Sequence, residues 1–246
     1  LMRAQEESVE PAAHAATRER IMQWADGAAL LQAAAAAIAL GLIEPLGQGR
    51  SSVGELARRC ACHAPSLRRL LRALAGAGLV VEQDGDQFEL SAEGQVLRER
   101  MPASLSHWLR FWGEDLWPLW GGLAQCVRTG ESARSTQVGA RGMGHLEHDS
   151  AAAGRFHGAM SELNAGLVGA VLAVGRFDRF ARIVDVGGGH GTLLTQVLIA
   201  YPHLRGIVFD RPHAMAGARE RIAAAGLEQR CQTAPGDFFE SIPRGA

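Results

Sequence analysis

The chain has 246 residues, 47% of them hydrophobic, which is enough for one large or two small domains with a buried core. Its formal net charge of −1 gives no general pull toward nucleic acid or an anionic membrane. Cys60, Cys62, Cys126 and Cys231 show no disulfide-scaffold rhythm, which points to a reducing, cytoplasmic setting.

About the first 15 residues are polar and alanine-rich and are expected to fray. Ile21 to Leu46 reads as a helix with Leu30, Leu31, Ala34, Ile38 and Leu42 near one face, ended by Pro45 and Gly47. Its apolar part, Ala28 to Ile43, is short for a membrane span and carries Gln32. Arg18, Glu19, Arg20 and Asp26 precede it, unlike a signal peptide, so a buried or dimer-forming helix is the simpler reading. Ser52-Val53-Gly54-Glu55 is a capping-box pattern that starts a helix running to about Cys60. Pro65-Ser66 opens the next, where Leu67, Leu70, Leu71 and Leu74 share a face and Gly76 and Gly78 close it. Leu79 to Glu82 and Gln87 to Leu90 flank Asp84-Gly85, a hairpin signal. Three helices and a hairpin in this order predict a winged helix.

Ser104 to Val127 holds Phe111 and four of the five tryptophans, Trp108, Trp112, Trp117 and Trp120. Packing in a core between the two domains accounts for most of them, and one or two are free to line a pocket for a flat ligand. Gly130 to Gly144 reads as a loop, and Ala151 to Val174 as a helix with Phe156, Met160, Leu163, Leu167 and Val171 along one stripe. Strand–helix alternation from Arg182 onward predicts a parallel sheet.

The densest signal is Ile183-Val184-Asp185-Val186-Gly187-Gly188-Gly189-His190-Gly191, an apolar run entering a glycine-rich turn before a helical pattern, Thr192 to Ala200. A strand, a tight loop and a helix N-terminus in that order make a site for a nucleoside-bearing ligand. The dinucleotide fingerprint G-x-G-x-x-G needs a glycine where this chain has Thr192, so Gly187, Gly189 and Gly191 favour S-adenosylmethionine over NAD. Asp210, at the tip of the run Gly206-Ile207-Val208-Phe209, is placed to accept from ribose hydroxyls. Asp185 has two readings, one facing the cofactor's amino group and one bonding the loop backbone. Gly236-Asp237-Phe238-Phe239, after a third strand at Arg230 to Thr233, pairs a carboxylate with an aromatic ring, a combination that suits adenine.

These three motifs in order, with Arg211-Pro212-His213 after Asp210 and Glu240-Ser241-Ile242-Pro243 after Phe239, resemble the S-adenosylmethionine-dependent O-methyltransferases of small-molecule metabolism. The resemblance is to the plant caffeate and flavonoid type and to the bacterial antibiotic-pathway type. Val127-Arg128-Thr129-Gly130-Glu131 and Phe156-His157-Gly158-Ala159-Met160-Ser161 resemble that family's linker segments. The resemblance implies an α/β fold with a mostly helical winged-helix dimerisation domain over 15–102. Linker helices and the first half of a Rossmann-like domain would follow over 103–246. It also implies a homodimer through the N-terminal domain, no metal, and methylation of a hydroxyl on an aromatic or polyketide-like small molecule. By the same resemblance Gly187, Asp210, Asp237 and Phe238 hold the cofactor, and Phe156 and Met160 lie near the methyl acceptor; Asp185 and Gly189, read from the strand end and glycine loop, complete the candidate cofactor site. The family's catalytic histidine follows a further strand, and no histidine here matches it. The chain begins with Leu1 and stops after its third strand, where about five to seven are usual. It is therefore expected to be a fragment of a longer protein, inactive in methyl transfer by itself.

Several motifs carry less. His190 lies within the glycine loop, badly placed to reach an acceptor hydroxyl. Arg50, Arg58, Arg59, Arg68, Arg69 and Arg72 would suit a DNA groove, but Glu82, Asp84, Asp86 and Glu89 on the wing would repel phosphates, so no nucleic-acid partner is expected. Cys60-Ala61-Cys62-His63 and His145-Leu146-Glu147-His148 each lack a full zinc ligand set. Three rivals remain, namely an NAD-dependent oxidoreductase, a ligand-responsive winged-helix regulator and a non-methylating relative.

Overall fold

The computed structural model describes residues 3–101, 103–137 and 144–243, with backbone alone for 3–13. The chain forms two compact units, Leu1–Gln95 and Val96–Ala246.

In the first unit α1 (Arg3–Ala39) is helical from its start, where fraying was expected, and it ends at a turn in which Gly41 has φ +72°. Its buried side chains include Ala34, Ala35 and Ala37, small enough for a neighbouring helix to approach closely. Pro45 does not end this helix. It sits in the first turn of a separate α2 (Ile43–Gln48), where a missing N–H costs no hydrogen bond. The next elements are β1 (Ser51–Ser52), α3 (Val53–Arg59), α4 (Ala64–Gly76), β2 (Val80–Gln83) and β3 (Gln87–Leu90). Ser52 caps α3, its hydroxyl accepting from Glu55 N–H at 3.2 Å. α4 buries Leu67, Leu71 and Leu74. Phe88 and Leu90 of β3 and Val53 and Leu56 of α3 are also buried.

The strands form one antiparallel sheet in the order β1-β3-β2, giving a winged helix. Pairing of Gln83 with Gln87 makes Asp84-Gly85-Asp86 a three-residue turn, with Gly85 at φ +73° and Asp86 at φ +64°. Acids of the wing are ion-paired with arginines of the same unit. Glu82 pairs with Arg72 at 2.8 Å, Glu89 with Arg50 at 3.5 Å, and Asp86 with Arg68.

The second unit opens with α5 (Ser106–Arg110), a π-helical turn at Phe111–Leu116, α6 (Trp117–Trp120), α7 (Leu123–Thr129) and α8 (Ala133–Gln137). α8 lies inside the expected Gly130–Gly144 loop, whose residues 138–143 lie outside the described residues. α9 (Ser150–Val174) follows, capped by Asp149, whose side chain accepts from Ala152 N–H at 2.9 Å. Its buried residues are Ala152, Ala153, His157, Ala159 and Val168. The expected stripe is only partly inward, because Leu163 and Leu167 are exposed. Then come β4 (Arg182–Val186), α10 (Thr192–Ala200), β5 (Arg205–Asp210), α11 (Met215–Ala224) and β6 (Cys231–Pro235). The strands pair in parallel in the order β4-β5-β6, with Val186 opposite Phe209 and Asp210 opposite Pro235. Leu194, Val197 and Leu198 of α10, Ala218 and Ile222 of α11, and Val208 and Cys231 of the strands form one core. That core fixes where the strand ends lie.

A half-buried carboxylate joins α5 to α9. Glu162 accepts from His107 N–H at 3.0 Å and Trp108 N–H at 2.8 Å, and so caps a helix whose own N-cap residue, Leu105, has no side-chain oxygen. It also lies 3.0 Å from Ser104 Oγ and from His107 Nδ1. These donors outweigh the cost of burial and hold the Glu162 carboxyl below its ordinary value. Glu162→Ala leaves those donors without a partner and is predicted to lower stability by about 3 kcal/mol. Urea denaturation measures this, and a change under 1 kcal/mol would contradict the role.

Candidate functional site

The glycine loop is built by backbone geometry. Gly187, Gly189 and Gly191 all have positive φ, at +73°, +56° and +73°, so the alternate spacing read in the sequence is an alternation of left-handed residues. The N–H groups of Gly187 and Gly188 both donate to Phe209 O, at 2.8 and 3.3 Å, which ties the loop to the end of β5. Gly189 N–H donates to Asp210 Oδ2 at 2.7 Å. At Gly191 a Cβ would meet Val208 at 3.0 Å, so glycine is required there for space as well as for φ. At the end of β6, a Cβ on Gly236 would lie 2.5 Å from the Phe209 ring.

Asp185 lies near the end of β4, close to the backbone of the glycine loop. Its carboxylate lies under Gly188 and faces Leu194 N–H in the first turn of α10. Burial pushes its carboxyl above the ordinary value, with Asp210 adding to the rise.

Asp210 ends β5 and Asp237 lies two residues beyond β6. Asp210 Oδ1 accepts from Arg211 N–H at 2.6 Å. Asp237 is bonded by the Arg211 guanidinium and by Phe239 N–H, the latter at 2.9 Å. Phe238 is 47% exposed and packs against the ring of Phe239 at 4.5 Å. Phe156 of α9 packs edge-on to Phe111 at 5.7 Å and to His157 at 5.2 Å, and Met160, one turn on, is half-buried.

The tryptophans depart from ordinary core packing. Trp112 stacks on Trp120 at 5.9 Å and 2°, and meets Trp108 edge-on at 5.9 Å, yet Trp117 and Trp120 are exposed. Among the described residues, no group of three or more His, Cys, Asp or Glu is arranged to hold a metal ion. No helix among them is long and apolar enough to cross a membrane. A cavity of about 180 Å³ lined by Arg182, Arg205 and Arg230 opens at the starts of the strands, away from the carboxyl ends where ligands of open α/β sheets bind.

Sequence reasoning missed a histidine cluster behind the loop. His157 Nε2 lies 2.8 Å from His213 Nδ1, and the His157 ring stacks on His190 at 4.5 Å. His190 in turn packs against Gly217 of α11. Burial, together with His190 and His213, holds the His157 imidazole down at about 4. His190 and His213 are also shifted down, chiefly by burial. Their separation in sequence, at 157, 190 and 213, hid the cluster. Glu147 and Arg211, which bond each other beside Asp237, were missed too, although Arg211 stands within a quoted motif.

A family model of the O-methyltransferase domain matches residues 120–246, just over half the chain, and one of the O-methyltransferase dimerisation domain matches residues 22–98. The chain belongs to the O-methyltransferase family. Among similar relatives is the phenazine O-methyltransferase of Lysobacter antibioticus, 31% identical over 91% of this chain and 65% of that protein. Another is the mitomycin biosynthesis 6-O-methyltransferase of Streptomyces lavendulae, 36% identical over 96% of this chain and 68% of that protein. A solved O-methyltransferase from neocarzinostatin biosynthesis, in complex with S-adenosylhomocysteine and 1,4-dihydroxy-2-naphthoic acid, is similar with a TM-score of 0.75. It is 29% identical, over 87% of this chain and 66% of that one. The chain thus spans about two thirds of the length of the curated relatives it matches. The dimerisation match covers the winged helix, and the O-methyltransferase match contains the glycine loop, Asp210 and Asp237.

The buried His157 gives the loop a pH signature. Its folded value, about 4, lies below the usual 6.5, so the unfolded chain takes up this proton first as pH falls. Stability is complete above about pH 6.5 and falls by about 1.4 kcal/mol per pH unit for that proton as pH drops toward 4. Urea midpoints at pH 7 and pH 5 should therefore differ more in the wild type than in His157→Gln. Equal pH dependence in both proteins would refute the role given to His157.

Proposed function

We propose that this protein is an S-adenosylmethionine-dependent O-methyltransferase that methylates a hydroxyl of an aromatic or polyketide-like small molecule. The observation that carries the reading is that the glycine turn, Asp210, and Asp237 with Phe238 follow the carboxyl ends of three adjacent parallel strands. The residues fit the cofactor. Left-handed glycines keep side chains off the loop, two carboxylates are acceptors for hydroxyl and amino groups, and Phe238 offers a ring face.

In this reading Gly187 and Gly189 line the cofactor, Asp210 binds the ribose hydroxyls, and Asp237 and Phe238 hold the adenine. Asp185 supports the loop and the first turn of α10. When bound, the cofactor supplies an electrophilic methyl group. The contribution of the protein is to place an acceptor oxygen in line with it and to keep water out. Phe156 and Met160, one helical turn apart on α9, are assigned to the acceptor side. His157, His190 and His213 are packed against one another, so none of them is assigned as the base.

Support for the substrate class comes from the relatives, described as acting on phenazine and in mitomycin biosynthesis, and from the naphthoic acid bound by the neocarzinostatin-pathway enzyme. The dimerisation-domain match supports a homodimer through the N-terminal unit. All four cysteines are free thiols, which supports a cytoplasmic location. The dinucleotide alternative is disfavoured at Thr192, where its fingerprint needs glycine; here Thr192 Oγ1 donates to Ser161 Oγ of α9 at 3.0 Å.

Calorimetric titration with S-adenosylhomocysteine and, separately, with NAD tests the reading. The first should bind and the second should not, and Asp210→Asn should weaken the first about tenfold or more. Binding of NAD alone would overturn the proposal.

A further inference from the structure

Asp210, Arg211 and Pro212 act together. A proline restricts the residue before it to extended backbone, and Arg211 has φ −61° and ψ 155°. From that position its N–H donates to Asp210 Oδ1 at 2.6 Å while its guanidinium bonds Asp237 Oδ2 through Nη1. The same guanidinium donates through Nε to Glu147 Oε1 at 3.0 Å, and Nη2 closes on that oxygen as well. Arg211's side chain is 37% exposed, so its partners rather than burial fix its position. Asp237 receives one donor on each oxygen, from Arg211 and from Phe239 N–H. A carboxylate offers about four lone-pair sites, which leaves room for a further donor from a ligand.

We infer that Arg211 is the positioning residue of the nucleoside site. It fixes Asp210 through its backbone and Asp237 through its side chain, with Glu147 anchoring the guanidinium. The ligand so recognised is a nucleoside whose purine carries an exocyclic amino group. This rests on the cofactor reading above and adds to it the means by which the base is selected. Arginine suits the task because its planar fork engages two carboxylates at once, which a lysine ammonium does with much less directional control.

The test compares S-adenosylhomocysteine with its inosine analogue, in which the amino group is replaced by an oxygen that would face the Asp237 carboxylate. Calorimetry is run on the wild-type chain, Arg211→Leu, Glu147→Gln and Asp237→Asn. The wild type should prefer the adenine ligand. Arg211→Leu should lose about tenfold in affinity for it and less than twofold for the inosine analogue, so that the preference collapses. Glu147→Gln, which keeps Arg211 itself, should shift the preference in the same direction by a smaller factor. The double variant Arg211→Leu with Asp237→Asn should be little worse than Asp237→Asn alone.

A parallel loss for both ligands would reduce Arg211 to a structural role and overturn the inference. So would unchanged binding, or tighter binding, which would make the guanidinium a competitor of the base. Failure of the wild type to bind S-adenosylhomocysteine would bring down the cofactor reading and this inference together. Wild-type binding without any preference between the two ligands would bring down the inference alone.

Discussion

The hydrogen bond from Gly189 N–H to Asp210 Oδ2, at 2.7 Å, is the joint on which the site depends. It forms only because β4 and β5 run parallel in a register that sets Val186 opposite Phe209, so that the loop leaving one strand crosses the end of the next. The register in turn rests on the core of Leu194, Leu198, Val208 and Ile222, which fixes α10 and α11 against the sheet. Positive φ at Gly189 and Gly191 allows the chain to reverse in so few residues. A side chain with Cβ at Gly191 would be both strained and pressed on Val208.

α9 is the buttress behind that joint. His157 packs against the loop through His190 and reaches the turn after β5 through His213. One turn later Ser161 accepts from Thr192, and Glu162 caps α5. A single helix therefore serves both the glycine loop and the aromatic segment that begins at Trp108. His157, Ser161 and Glu162 of this helix are each hydrogen-bonded to a partner outside it, which is what permits polar groups in so confined a space. A neutral imidazole is the form that suits the stack, since burial and the two neighbouring rings both oppose a charge on His157.

What could be read in the sequence was what local chemistry determines. The capping box at Ser52, the hairpin at Asp84-Gly85, the glycine alternation and the carboxylates at strand ends depend on residues within a few positions of one another. Contacts between distant elements could not be read. Glu162 gives no sign in its own neighbourhood that it caps a helix more than fifty residues earlier, and the three histidines meet only once α9 lies against the loop. Pro45 misled because a proline near the end of an apolar run reads as a stop, whereas Gly41 had already broken the helix and Pro45 stands in the first turn of the next. Asp185 was left between two roles because both require a carboxylate at the same strand end.

The most direct test of the account is a crystal structure of the chain soaked with S-adenosylhomocysteine. Ribose hydroxyls should lie within hydrogen-bond reach of Asp210, with the adenine between the Asp237 carboxylate and the ring of Phe238. Density for the nucleoside anywhere else, or ribose hydroxyls that do not touch Asp210, would contradict it.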